Sequence, residues 1–319
     1  MLAALTSADA VTWLSISVKA FAYAATLSAV GSVLVLVALR DLSEGGRSAL
    51  RWTAVFSALA AGLFTALRLP VRASFLMGGT WDGATDPMIL GMVADSPLGN
   101  SAVLRLVGLA LILAVLWRAR AGLALALTGA CIASASFALR GHALGEPQLI
   151  LGALITIHIL CLAFWVGAFA PLARAARRDP PARAGALAHE FGRRALWAVG
   201  LLVLAGGITL ALLGAATPSA LTSPYGQVFV IKLMLFAGLL SLAAVNKLKL
   251  TPALLDAAPG AGTRLRRSIG VEAGLVAGIL VTTAALTTLF APPGNADNAQ
   301  ATLSAPVSGP VQQTFGDAS

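Results

Sequence analysis

Eight long apolar runs govern what this chain can fold into. They lie at roughly 15–39, 52–77, 99–117, 121–140, 148–172, 195–215, 226–246 and 268–290. A helix needs about 20 mostly apolar residues to cross the hydrocarbon layer. Inside that layer every backbone polar group must find its partner within the protein. The runs are continuous, rich in Ala and Leu, and lack the ten-residue alternation of barrel strands. The expected fold is therefore all-α, a polytopic membrane protein with eight transmembrane helices. Composition agrees, because 58% of residues are hydrophobic and only 11% are charged, against about 25% charged in ordinary soluble domains. That excludes a soluble globular enzyme and a disordered chain. No cleavable signal peptide is expected, since the first cation is Lys19 and Arg40 follows the first apolar run.

Charge placement predicts the orientation. Sixteen of the 22 Lys and Arg residues fall in the first, third, fifth and seventh connections, at Arg40 to Arg51, Arg118 and Arg120, Arg174 to Arg194, and Lys247 to Arg267. The other side carries Asp9, Asp82, Asp86, Asp95, Glu146, Asp297 and Asp317. Lys/Arg bias marks cytoplasmic loops, so both termini are expected on the outer side. The basic stretch 174–194 is read as a connection that anchors topology on the anionic leaflet, with a lipid site as the rival reading. The tail 294–319, rich in Ala, Pro, Ser and Gln, is expected to be an exported disordered segment.

A short repeat divides the chain. Ser96-Pro97-Leu98-Gly99 opens the third run and Ser223-Pro224-Tyr225-Gly226 opens the seventh. Each is followed six residues after its glycine by a cation, Arg105 or Lys232. A duplication follows from this: two parallel four-helix halves, 1–140 and 141–293. Proline suits a first helical turn, where its missing N–H costs little. The cation beyond it either snorkels outward or faces the bundle, where it neutralises an anion or lines a polar path. Arg68 and Arg72, near the outer end of the second run, are read as snorkelling or binding a headgroup.

Few residues can carry chemistry. His142 sits at the outer end of the fourth run, and His158 about ten residues inside the fifth. An intramembrane histidine is a functional candidate, with a packed, hydrogen-bonded histidine as the rival. His158, Cys161 and Trp165 share a helical face at i, i+3, i+7. Imidazole and thiolate both ligate copper or zinc, and thiolate favours Cu(I). Cys161 and Cys131 have the rival reading of small buried hydrophobes. Met77, Met88 and Met92 all fall in or beside one outer connection. Thioethers suit Cu(I) at an oxidising surface, and gap-filling at the lipid boundary is the alternative. Glu272, one turn into the eighth run, needs a partner. Asn246 or Lys247 is nearest by depth, giving a structural clamp with a proton- or metal-coupled role behind it. Gly270, Gly274 and Gly278 form a small-residue seam that suggests tight helix packing. His189 is read as solvated. No Walker loop, Rossmann fingerprint or HExxH motif is present, so no enzyme activity is expected.

The ordered set Gly141-His142-Ala143, His158 with Trp165-Val166-Gly167, Ser223-Pro224-Tyr225-Gly226 with Lys232, Asn246 with Leu250-x-Pro252, and Arg266-Arg267-Ser268 with Glu272 resembles the copper resistance protein D (CopD) family of bacterial inner-membrane proteins. The likeness is densest over 140–293. It implies copper at His142 and His158, transfer across the inner membrane, and a separate periplasmic CopC-like copper-binding partner. With the methionines added from residue chemistry, the expectation is a copper-handling membrane protein. It would capture Cu(I) from the periplasm at Met77, Met88, Met92 and His142 and pass it to His158, with Cys161 beside it. Two other readings stand against this: a redox protein holding b-type haem through histidine, and a non-transporting scaffold for a copper chaperone. No nucleic-acid partner is expected.

Overall fold

The computed structural model describes residues 9–141, 145–212 and 224–289. Eight of its helices are long and apolar enough to cross a membrane, as the hydropathy runs require. In chain order they are α1 (Ala10–Ala38), α2 (Glu44–Leu76), α4 (Pro97–Ile112, carried on by a 3-10 turn Leu113–Leu116), α5 (Arg120–Ala135, then Ser136–Leu139), α6 (Gln148–Arg178), α7 (Pro181–Leu212), α8 (Pro224–Val245) and α10 (Ala261–Leu289). Between α2 and α4 lies a short outer helix, α3 (Pro87–Ala94). A π turn (Asn246–Leu250) and α9 (Thr251–Leu255) prolong α8. Consecutive spans run antiparallel, so the start of α1 and the end of α10 share one face, called the terminal face below. The Arg- and Lys-rich connections occupy the opposite, basic face.

Local chemistry sets several boundaries. Asp9 caps α1, accepting from Thr12 N at 2.7 Å. Hydrogen bonding by the Thr12 side chain and its N–H holds the Asp9 carboxyl below its usual range. Ser43 caps α2 by accepting from Gly46 N. Asp86 caps α3, accepting from Met88 N at 2.8 Å and Ile89 N at 3.1 Å, so its carboxylate is spent on the helix end. Ser96 caps α4, with Pro97 in the first turn. The second copy of that motif starts α8 at Pro224, while Ser223 lies outside the described residues.

α1 is the centre of the molecule. It packs on α2 and α5 of the first half and on α6 and α10 of the second. It crosses α6 where Gly31 meets Ala163 and Gly167 backbone to backbone, so a side chain at either glycine would overlap the other helix. Gly108 and Gly129 allow the same approach between α4 and α5. The expected Gly270, Gly274 and Gly278 seam is met in one place, where a Cβ on Gly278 would stand 3.5 Å from Leu235 Cδ1 of α8, while nothing lies within 4 Å of a Cβ built at Gly270 or Gly274. A small-residue pattern permits close approach but does not supply the partner, and the tight crossings fall elsewhere.

The basic stretch 174–194 is also different from its expected form as a connection. α6 runs to Arg178, only Asp179 and Pro180 intervene, and α7 starts at Pro181. Hydropathy marks the apolar part of a helix, whereas Ala, Arg and Glu propagate it well beyond that part. Glu190 on this extension accepts from Arg40 N and Asp41 N at 2.9 and 3.1 Å and pairs with Arg194 at 2.7 Å. It therefore pins the first connection of one half to α7 of the other.

The halves close differently. In the first, α1, α2, α4 and α5 pack around in sequence. In the second, α6 packs on α7 and α8 on α10, while α7 reaches the α8 segment through the π turn and α9 at the basic face. Among the described residues, α7 and α8 have no extensive direct contact with each other elsewhere along their length.

Candidate functional site

His158 sits in that loosely packed region. It is partly buried and faces α7, where a Cβ on Gly206 would stand 3.7 Å from its Nδ1. The polar groups that act on it are the Leu202 backbone and the Lys232 ammonium. Three helices thus bring an imidazole and an ammonium together at one depth, about 15 Å inside α6 by helical rise. Cys161, one turn further along α6, is 8% exposed. Cys131, expected at similar depth, is exposed on the flank of α5. Among the described residues no group of three His, Cys, Asp or Glu side chains is placed to hold a metal ion. His142 lies outside the described residues. His189 is exposed, as expected of a solvated residue.

One helical turn beyond Cys161, Trp165 turns to another job. Its Nε1 donates to Glu272 Oε2 at 3.1 Å, and Asn246 Nδ2 donates to Glu272 Oε1. Glu272 is 4% exposed. The sequence found Asn246 as partner by depth but not Trp165, and Lys247 is exposed and takes no part. Asn246 begins the π turn, and its carbonyl accepts from both Thr251 N and, at 2.9 Å, Thr251 Oγ1. Such turns frequently mark functional positions in helices. Asn246 Oδ1 and Ser268 Oγ are buried without a hydrogen-bond partner. The node ties α6, α8 and α10 together on neutral donors alone.

The methionines divide by exposure. Met88 and Met92 lie one turn apart on α3 and are 70% and 63% exposed. Met77 caps the end of α2 at 45% exposed, with Gly83 close against its side chain. All three stand at the terminal face. They belong to the first half, and the structure does not bring them to His158.

Arg105 resolves its two readings clearly. It is 1% exposed, donates from Nε to Ser136 Oγ at 2.9 Å, and lies 4.0 Å above the Phe137 ring. It faces the bundle and does not snorkel. Ser101 Oγ donates to Ser136 O at 2.7 Å, which fixes that turn.

Two cavities among the described residues bear on the site. One of about 260 Å³ lies between the halves, lined by Ser28, Ser32, Thr53, Gly167, Val276 and Leu280 among others. The other, about 290 Å³, is at the basic face between Arg174, Arg177, Arg178 and Arg266.

Two family models match the chain. That of the copper resistance protein D-like N-terminal domain covers residues 7–149, and that of copper resistance protein D covers 185–286. No match was found among curated proteins or among solved structures. The eight-helix membrane architecture and the two matches, which between them span most of the chain, agree with the motif order read from the sequence. The chain belongs to the copper resistance protein D family and is a copper-resistance membrane protein.

Proposed function

We propose that the protein takes up Cu(I) at its terminal face and passes it inward through the loosely packed second half, with His158 as the station inside the membrane. The terminal face is then periplasmic and the basic face cytoplasmic in a bacterial inner membrane, as the Lys/Arg bias requires. The observation that supports this reading is the position of His158 on α6, beside Gly206 and the Leu202 backbone of α7 and near Lys232 of α8. Conduction needs sites weak enough to release the ion. An imidazole with an ammonium nearby is such a site, because Lys232 opposes a second positive charge. The exposed pair Met88 and Met92 offers two thioethers at i, i+4 for capture, a ligand type that suits Cu(I).

The test is copper accumulation in cells expressing the wild type and His158→Ala, with membrane levels of the protein matched. His158→Ala should abolish the copper-dependent phenotype. Unchanged accumulation would overturn the transport reading. A second reading is favoured by the separation of the methionine pair from His158: a scaffold that docks a periplasmic copper carrier. There Met88→Leu with Met92→Leu would remove the phenotype and His158→Ala would not.

A further inference from the structure

Six cations lie off the basic face, and five of them gather in the first half: Lys19, Arg68, Arg72, Arg105 and Arg140. They come from α1, α2, α4 and the end of α5, and they form a graded path. Arg72 is exposed and Arg140 half-buried, whereas Arg68, Lys19 and Arg105 are 6%, 7% and 1% exposed. Arg68, Arg72 and Arg140 all act electrostatically on Lys19, and Arg68 and Arg140 act on Arg105.

Among the described residues no carboxylate pairs with them. Among the described residues the one ion pair is Arg194 with Glu190, at the other face. What the cations have instead is neutral. Lys19 Nζ donates to Thr287 O and Thr287 Oγ1 at 3.2 Å and to Thr288 Oγ1 at 2.6 Å. Arg68 lies 5.7 Å from the Tyr23 ring centroid, and Tyr23 packs on the Phe137 ring that Arg105 covers. Arg72 stacks over Phe75. Neither Arg72 nor Arg140 has a hydrogen-bonded or ion-paired partner among the described residues. Burying charge without an opposite charge costs several kcal/mol per ion. In a membrane such residues are retained for function. Guanidinium groups present flat forks of donors that match tetrahedral oxyanions.

We propose that this ladder of five cations, in the terminal-face half of the first four helices, is a binding site for a phosphate group. The group enters past Arg72 and Arg140 and is neutralised against Arg68, Lys19 and Arg105. The same chemistry is available from a lipid headgroup phosphate of the adjoining leaflet or from free inorganic phosphate. The site repels a metal cation, so copper has no route through the first half.

The experiment uses the full chain in delipidated detergent solution. Thermal unfolding and bound phosphorus are measured with sodium phosphate, with short-chain phosphatidylglycerol, and with sodium chloride at matched ionic strength. Wild type should be stabilised by at least one phosphate-bearing probe beyond the chloride control. A response to lipid alone assigns the headgroup, and a response to both assigns a free oxyanion; either supports the site. Lys19→Met and Arg68→Gln should weaken that binding at least tenfold. With no phosphate present, both variants should melt higher than wild type, because they relieve like-charge repulsion. Arg68→Lys should keep most of the binding, and Arg178→Gln at the opposite face should keep all of it. Equal stabilisation of wild type by chloride and both phosphate probes overturns the proposal. So does equal loss of binding in Arg178→Gln.

Discussion

Arg105 and Lys232 each stand eight residues inside a helix that starts at a proline, Pro97 or Pro224. Their surroundings have diverged. Arg105 is closed in by α5, hydrogen-bonded to Ser136 and stacked on Phe137. Lys232 is only partly buried and faces an imidazole. By depth His158, ten residues into α6, corresponds to Lys19, nine residues into α1. In the first half that pair of positions is Lys and Arg, held by the Thr287 and Thr288 oxygens, Ser136 and the Phe137 ring, with further cations close by. In the second it is His and Lys, set among helices that are less closely packed. On the two proposals above, positions of similar depth in the two sets of four helices would serve an anion in one and a metal cation in the other. The difference lies in side-chain identity at two positions and in how tightly the last pair of helices closes.

The largest expected effect tests what replaces cation packing in the second half. Glu272→Ala leaves the Trp165 and Asn246 donors buried and unpaired. Each such donor costs about 1–3 kcal/mol, so unfolding in detergent should show a loss of about 3 kcal/mol. Glu272→Gln keeps one acceptor oxygen and should lose about 1 kcal/mol. A Glu272→Ala protein as stable as wild type would mean the node does not hold α6, α8 and α10 together.

Next comes the exchange of the repeat cations. Arg105→Lys loses both the fixed Nε bond to Ser136 and the stacking on Phe137, at a cost of about 1–2 kcal/mol. Lys232→Arg, in looser packing, should stay within about 0.5 kcal/mol. Equal costs would erase the distinction between a closed and an open half. The electrostatic counterpart reads copper instead. Lys232→Met removes the ammonium near His158 and should raise copper retention by the purified protein about threefold to tenfold, at most about 1.4 kcal/mol by the usual conversion. Lys19→Met should leave copper retention unchanged.

Much of this architecture is legible in the sequence because hydropathy and Lys/Arg bias are additive along the chain. Eight spans and the motif at α4 and α8 follow from counting. Asn246 was within reach as the partner of Glu272, since both lie at one depth near the basic face. Trp165 was not, because the rotation of α6 about its axis is set by its packing on α1 and α10. The same reason hides the cation ladder. Lys19, Arg68, Arg105 and Arg140 are 121 positions apart from first to last, and only the packing order of four helices shows that they converge. Glu190 lies within a basic stretch that reads as a connection, so nothing in the sequence marks it out. Its role depends on α7 continuing below the membrane to meet Arg40 and Asp41.

The smallest effect separates capture from lipid contact among the methionines. Met88, Met92 and Met234 are almost equally exposed, at 70%, 63% and 70%. Met234 lies in the apolar interior of α8, where a thioether facing outward meets lipid chains. Met88 and Met92 lie on α3, outside the spans and held by the Asp86 cap. Exposure alone therefore predicts that all three tolerate leucine without loss of stability, since surface substitutions of this kind stay within about 0.5 kcal/mol. Copper distinguishes them. Met88→Leu with Met92→Leu should lower accumulation about threefold when copper is limiting and leave it unchanged at excess, because capture then no longer limits flux. Met234→Leu should do neither. Met77 differs again, since its side chain packs against Gly83, so Met77→Leu tests the turn at Trp81–Ala84 as much as metal. If the double variant on α3 behaves like Met234→Leu at every copper level, the outer methionines are lipid-boundary side chains. Capture would then fall to the segment that carries His142.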